Sequence, residues 1–223
     1  AKIEERPEFT VNLMAIDGGD ATLAAAIREA VPLDFPVSSF DLDPAAMRAQ
    51  ILLMPPVKEA SVRIRPGGVL QVDVKPRVPV AIWRNAEGLA LIDADGVSVA
   101  SLEQRNDRAD LPVIAGQGAP DHVMQALALI GAAAPLGERL RGLVRLGDRR
   151  WDVVLDRDQR IMLPTDAPVR ALERALALNG VDDLLARDVA RIDLRLSDRP
   201  TVRLNSSATE EWRRIRQLNS GNE

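Results

Sequence analysis

The sequence predicts an α+β protein in which a β-α-α-β-β unit precedes a mixed and antiparallel β-sheet domain with helices. Three observations predict it. The stretch "PVKEASVRIRPGGVLQVDVKPRVPVAIW", Pro56 to Trp83, alternates apolar and polar residues in two arms about a Pro-Gly-Gly turn, which is the pattern of a hairpin with one wet face. Two capped helical segments come before it, enough to cover the other face. Beyond Pro76-Arg77-Val78-Pro79 the pattern changes to many short apolar runs divided by turn residues, with further helical segments among them.

Phe9 to Ile16, "FTVNLMAI", reads as one strand, ended by Gly18-Gly19. Asp20 then caps a helix to about Val31, with Leu23, Ala26, Ile27 and Ala30 on one face. A second helix starts with Asp43 as N-cap and Pro44 at the first helical position, carries Met47, Ile51 and Met54 inward, and is stopped by Pro55-Pro56. In the hairpin, Ala60, Val62 and Ile64 alternate with Ser61, Arg63 and Arg65 in the first arm. Leu70, Val72 and Val74 alternate with Gln71, Asp73 and Lys75 in the second. Pro66-Gly67-Gly68 turns the chain, because glycine reaches positive φ without a Cβ clash and proline presets the bend.

After Pro79, turns are expected at Asn85-Ala86-Glu87-Gly88 and Asp95-Gly96. A helix from about Pro120 to Ala134 is expected to turn Val123, Met124, Leu127 and Ile130 inward. Strands follow near Leu143–Leu146, Trp151–Asp156 and Arg160–Leu163. A helix from Pro168 to Leu178 buries Val169, Leu172, Ala175 and Leu176 and stops at Asn179-Gly180. Ile192, Leu194 and Leu196 alternate in a penultimate strand, and Thr201 to Leu204 form the last. From Asn205 the chain is polar, with a helical turn or two around Trp212 and Ile215. The expected division is a first domain at 7–75, a β-domain at 76–205 and a tail at 206–223, in keeping with a length of 223 residues.

Composition narrows the function. With 29 basic and 33 acidic residues the net charge is −4, and three Phe and three Trp are the only aromatics. That offers neither a basic stripe nor a stacking platform for nucleic acid. The absence of cysteine excludes disulfides, thiolate metal sites and a cysteine nucleophile. The longest uncharged run, Val123 to Gly137, falls short of the ~20 apolar residues of a spanning helix. The chain starts at Ala1 without a methionine or signal peptide, so it reads as a piece whose natural N-terminus lies upstream.

Covalent chemistry finds few candidates. His122 is the only histidine and reads as a solvated first-turn residue beside Asp121; the sharper alternative is a catalytic base. Asp93/Asp95 and Asp156/Asp158 pair carboxylates, but both pairs lie where hairpin turns want Asp and Gly. Gly116-Gln117-Gly118 lacks the third glycine and the Lys-Ser/Thr of a phosphate loop. No catalytic, cofactor-binding or metal residue is therefore expected. What remains is surface. A short terminal strand lies at or near a sheet edge, and two readings stand: an edge open to a second chain, or one blunted by Pro200, Arg199 and Arg203.

The strand-helix-helix-strand-strand order resembles a POTRA domain, and "SSFDLDPAAMRAQILLMPPVKEASVRIRPGGVLQVDVKPRVPVAIW" resembles the FtsQ/DivIB family of cell-division proteins. The likeness continues through "GLALIDADGV", "LPVIAGQGA", "RRWDVVLDRDQRIMLP" and "ARIDLRLSDRPTVRL" and covers about residues 7 to 205. It implies a POTRA domain and a β-domain in the periplasm, held to the inner membrane by an N-terminal helix absent from this sequence, at the division septum. It implies a non-catalytic scaffold that recruits FtsB with FtsL and meets FtsK, FtsW, FtsI and FtsN, without cofactors. Carried onto this chain, the FtsB surface is Arg195 and Leu196 at the end of the penultimate strand, Thr201, Val202, Arg203 and Leu204 in the last, and Arg149 or Arg150 on a neighbouring strand. The strand with Val62 and Ile64 resembles the one implicated in recruitment to the division site. This chain departs from better-known members, which place aromatics where Leu196 and Leu204 stand. Since aromatic anchors commonly dominate interface energy, main-chain pairing is expected to matter more here. A POTRA-bearing outer-membrane assembly or translocation factor is the alternative, and it predicts barrel strands with aromatic girdles.

Overall fold

The computed structural model describes residues 9–182, 189–196 and 199–204. The expectations for the polar tail from Asn205, for its turns around Trp212 and Ile215, and for Ser197-Asp198 lie outside the described residues. The protein is α+β and divides into two compact units, one holding the chain up to Pro79 with Val97–Ser101, the other the rest.

The first unit contains β1 (Thr10–Val11), β2 (Leu13–Asp17), α1 (Ala21–Ala30), β3 (Val37–Ser38), α2 (Pro44–Leu52), β4 (Val57–Arg65) and β5 (Val69–Pro76). Its main sheet has the order β2-β5-β4, with β2 parallel and β4 antiparallel to β5. The single strand expected over Phe9–Ile16 is broken at Asn12, and its halves join different sheets, β1 pairing with β3. The cause is long-range: the Asn12 N–H donates to the Gly68 carbonyl at 2.8 Å, tying the break to the hairpin turn.

Both helices start as their sequences dictate. Asp20 Oδ1 accepts from the Leu23 N–H at 2.7 Å, and Asp43 Oδ1 accepts from the Ala45 and Ala46 N–H groups, each at 3.0 Å. These caps satisfy donors that a helix start leaves orphaned. Leu23, Ile27 and Ile51 then pack on Ala60, Val72 and Val74 from one sheet face. The other face is polar, with Arg63 Nη2 donating to Asp73 Oδ2 at 2.5 Å. Gln71 is the exception to a wet face: it is buried on the central strand, its amide donating to Asp17 Oδ2 at 2.8 Å and Asp73 Oδ1 at 2.9 Å.

The larger sheet is built from β6 (Pro79–Arg84), β7 (Leu89–Asp93), β8 (Ser98–Leu102), β9 (Val113–Ala115), β10 (Leu140–Leu146), β11 (Arg150–Leu155), β12 (Arg160–Met162), β13 (Val189–Asp193) and β14 (Thr201–Leu204). The order is β14-β13-β12-β11-β10-β9-β6-β7-β8. Three neighbouring pairs in this sheet are parallel, and parallel neighbours need a crossover: α3 (Val123–Ala132) joins β9 to β10, α4 (Pro168–Asp182) joins β12 to β13, and the chain from β6 to β9 passes through β7 and β8. Val123, Ala126 and Leu129 of α3 and Leu172 of α4 form one core with Ile114, Leu143, Trp151, Val153, Ile161 and Ile192 of the sheet.

Three expectations need correction here. On α3 the buried residues are Val123, Ala126 and Leu129, whereas Met124 is exposed and Leu127 and Ile130 are half-buried. Nearly every position of this helix is apolar, so spacing alone does not choose its face, and small Ala126 lets the helix approach the sheet. Helix α4 continues past Asn179-Gly180 to Asp182; an interior glycine costs a helix only ~1 kcal/mol, which does not end it. The penultimate strand ends at Asp193, so Leu194 and Leu196 lie beyond it. There Asp193 turns its carboxylate back onto the Arg195 N–H at 3.0 Å, a local bond that competes with extending the ladder.

Candidate protein-binding edge

β14 is the terminal strand of the larger sheet, paired on one side with β13. Its free side leaves main-chain N–H and C=O groups without a strand partner among the described residues. All four residues are exposed, Val202 at 45% and Leu204 at 37%. For a β-branched and an aliphatic side chain on a sheet edge, this leaves apolar area for a neighbour to cover.

The register of the last strands sorts their side chains onto two faces. Ile192 faces the helices, and Val202 is its partner across the ladder. On the other face, which no helix covers among the described residues, Arg160 stands opposite Arg191, and Arg191 opposite Arg203. This is a row of three arginines ending at the edge. Like charges directly opposed in a sheet repel. Arg191 and Arg203 form no ion pair among the described residues, and Arg160 reaches only Asp152, at 4.0 Å.

The next row holds the acids. Met162 lies opposite both Asp152 and Asp193, and Asp193 lies opposite Thr201. Arg195 clamps Asp193, with Nε donating to Oδ1 at 2.8 Å and Nη2 to Oδ2 at 2.5 Å. Asp152 is almost fully buried and its Oδ1 accepts no hydrogen bond among the described residues. The two carboxyls are thereby pushed apart. Burial raises the Asp152 pKa against the pull of Arg150, Arg160, Arg195 and Arg191. The Arg195 hydrogen bond lowers that of Asp193. For Asp193 the stability contribution is present above the ordinary Asp value of about 3.9 and is lost as pH falls through the lowered pKa. For Asp152 the sign is reversed, since ionisation on raising the pH through the elevated pKa costs stability. A carboxyl NMR titration is expected to show Asp152 releasing its proton at higher pH than Asp193; the opposite order contradicts this electrostatic picture.

The other residues assigned from sequence are placed as follows. Leu196 is 69% exposed and lies in the turn after β13, its carbonyl accepting from the Arg199 N–H at 3.2 Å. It borders a cavity of about 310 Å³ with Leu194, Pro200 and Arg174. Arg149 sits in the β10–β11 turn and Arg150 begins β11, which β12 and β13 separate from β14. The expected neighbouring strand is thus two strands removed. Val62 and Ile64 lie on β4, an edge of the smaller sheet. Val62 packs inward and Ile64 is 36% exposed. Sequence reasoning missed Arg160 and Arg191. Their alternation with Ile161 and Ile192 marked them as outward-facing, but only the register aligns them with Arg203.

Of the carboxylate pairs, Asp93 shapes its own turn, its Oδ1 accepting from the Asp95 N–H at 3.0 Å, whereas Asp156 forms an ion pair, its Oδ1 accepting from Arg139 Nε at 3.1 Å. His122 Nε2 lies 3.8 Å from Asp148 Oδ1. Among the described residues, no helix is long and apolar enough to cross a membrane.

A β-α-α-β-β unit followed by a helix-backed sheet defines a two-unit α+β protein of the kind the sequence resemblance implied. The C-terminal model of the cell division protein FtsQ/DivIB matches residues 81–195. A cell division protein FtsQ from Roseobacter litoralis is 60% identical over 98% of this chain and 74% of its own length. Those from Cereibacter sphaeroides and Jannaschia sp. are 49% and 45% identical, each over 97% of this chain and 70% of their own. The chain belongs to the FtsQ/DivIB family of cell-division proteins.

Proposed function

We propose that this chain is a non-catalytic scaffold of the division machinery that takes up FtsB, together with FtsL, by strand addition at β14. In this reading the chain acts in the periplasm at the septum, held to the inner membrane by a preceding helix, and supports septal peptidoglycan synthesis and constriction. FtsK, FtsW, FtsI and FtsN are its further contacts, and the β4 edge with Val62 and Ile64 serves recruitment. The observation that supports the reading is the β14 edge, which has no second strand partner among the described residues, and where the row Arg160, Arg191 and Arg203 ends in an arginine that forms no ion pair among them. Main-chain bonds along such an edge supply affinity, while alternate side chains supply specificity. Arg195, Leu196, Thr201, Val202 and Leu204 complete the surface, with Arg150 on the same face; Arg149 is its alternative in the adjoining turn.

The arginine row asks for a carboxylate opposite Arg203 on the added strand. Arg203→Glu is expected to weaken binding of the periplasmic segment of the cognate FtsB by about tenfold, equivalent to ~1.4 kcal/mol, with Arg203→Lys close to the parent. Isothermal titration calorimetry at low and physiological salt reads both. Charge reversal that leaves affinity and salt dependence unchanged removes the row from the site.

A further inference from the structure

A second surface lies away from the β14 edge, on the same face of the sheet. β9, β10 and β11 there turn Val113, Val144 and Val154 outward, opposite in face to the core residues Ile114, Leu143 and Val153. All three valines are half-buried. Between them stands Gly142, at a register shift in β10. Its φ is +157°, and a Cβ built there would lie 2.6 Å from the Val113 carbonyl oxygen. The missing side chain leaves a trough of about 380 Å³.

The rim is basic. Arg84, Arg105 and Arg141 line the trough, and among the described residues no acidic side chain does. Arg105 is fixed by donating to the carbonyls of Arg108 at 2.5 Å and Leu111 at 2.8 Å, partners that orient the guanidinium without cancelling its charge. Arg84 and Arg141 are exposed and make no ion pair among the described residues. In a chain whose net charge is −4, this is a local reversal of sign, coupled to an apolar floor. Such a field raises the local concentration of an acidic ligand and suppresses a basic one.

We infer that this trough is a docking surface for an acidic protein segment that seats an apolar side chain over Gly142 between Arg84 and Arg141. An extended strand suits it, since alternation puts apolar groups on the floor and carboxylates toward the rim. The inference is independent of strand addition at β14.

The test uses the whole chain and a fluorescein-labelled acetyl-(Glu-Leu)5 peptide, with acetyl-(Lys-Leu)5 as control. Saturable binding of the acidic peptide alone is expected, with amide shifts at Val113, Gly142, Val144 and Val154. Arg84→Glu/Arg141→Glu is expected to weaken it at least tenfold, and Val144→Trp, which fills the trough without altering charge, to do the same. Arg203→Glu, at the β14 edge, is expected to leave it within about twofold. No saturable binding, equal binding of both peptides, insensitivity to the trough variants, or shifts confined to β14 would each overturn the inference.

Discussion

Proline placed at Val202 and, separately, at Arg203 is expected to divide binding from stability. Consecutive residues of a strand point their main-chain groups to opposite sides, so one of these N–H groups faces β13 and the other faces the open edge. Proline has no N–H and its ring obstructs a strand on that side. Where the N–H faces the edge, an edge strand tolerates proline. That variant should keep the parent melting temperature to within a few degrees and lose capture of the FtsB segment by more than tenfold. The other variant loses a bond of the β13–β14 ladder and should melt lower. Calorimetry and thermal melts on both variants check it; full-affinity binding by both would contradict strand addition.

The largest loss of stability is expected from Trp151→Ala. Trp151 is 1% exposed in the main core of the larger sheet. Its Nε1 donates to Gln125 Oε1 at 2.9 Å, and the same oxygen accepts from Arg145 Nη1 at 3.0 Å. The Arg145 guanidinium lies 5.2 Å from the indole centroid, at a position where Arg145 is 6% exposed. Removing the ring opens a cavity and strips one wall from a buried charge. Large-to-small changes of this kind cost ~3–5 kcal/mol, against a typical total of ~5–15 kcal/mol. Gln125→Leu, which spares the ring but strands two buried donors, should cost about 1–3 kcal/mol for each. Urea unfolding monitored on the larger unit measures both; a loss below 1 kcal/mol for Trp151→Ala would show that this core closes over the gap.

Where the determinants are local, the chain was legible. Asp20 and the Asp43-Pro44 pair announce helix starts because a cap acts within three residues, and Gly67-Gly68 marks the hairpin because a turn must be made on the spot. The end of α4 misled because an interior glycine is permitted, and the buried face of α3 because an all-round apolar helix carries no phase. Asn12 shows the other limit: its break follows from a bond to Gly68, which no short window contains.

The candidate edge divides the same way. Thr201–Leu204 could be read as a strand from its own residues, and its terminal place suggested an edge. Alignment of Arg160, Arg191 and Arg203 depends on pairing β12, β13 and β14, whose residues lie up to 43 positions apart in sequence numbering. Arg195, assigned to the partner from resemblance, is engaged by Asp193 at 2.5–3.0 Å in the free chain. A partner carboxylate would therefore have to share or displace that clamp, whereas Arg203 forms no ion pair among the described residues.

Strand addition at β14 is tested by amide hydrogen exchange of this chain with and without the periplasmic segment of the cognate FtsB. New protection is expected at Thr201–Leu204, confined to the edge-facing amides, with β4 unchanged. Binding that leaves those four residues exchanging as in the free chain, or that protects only β4, would contradict strand addition at β14.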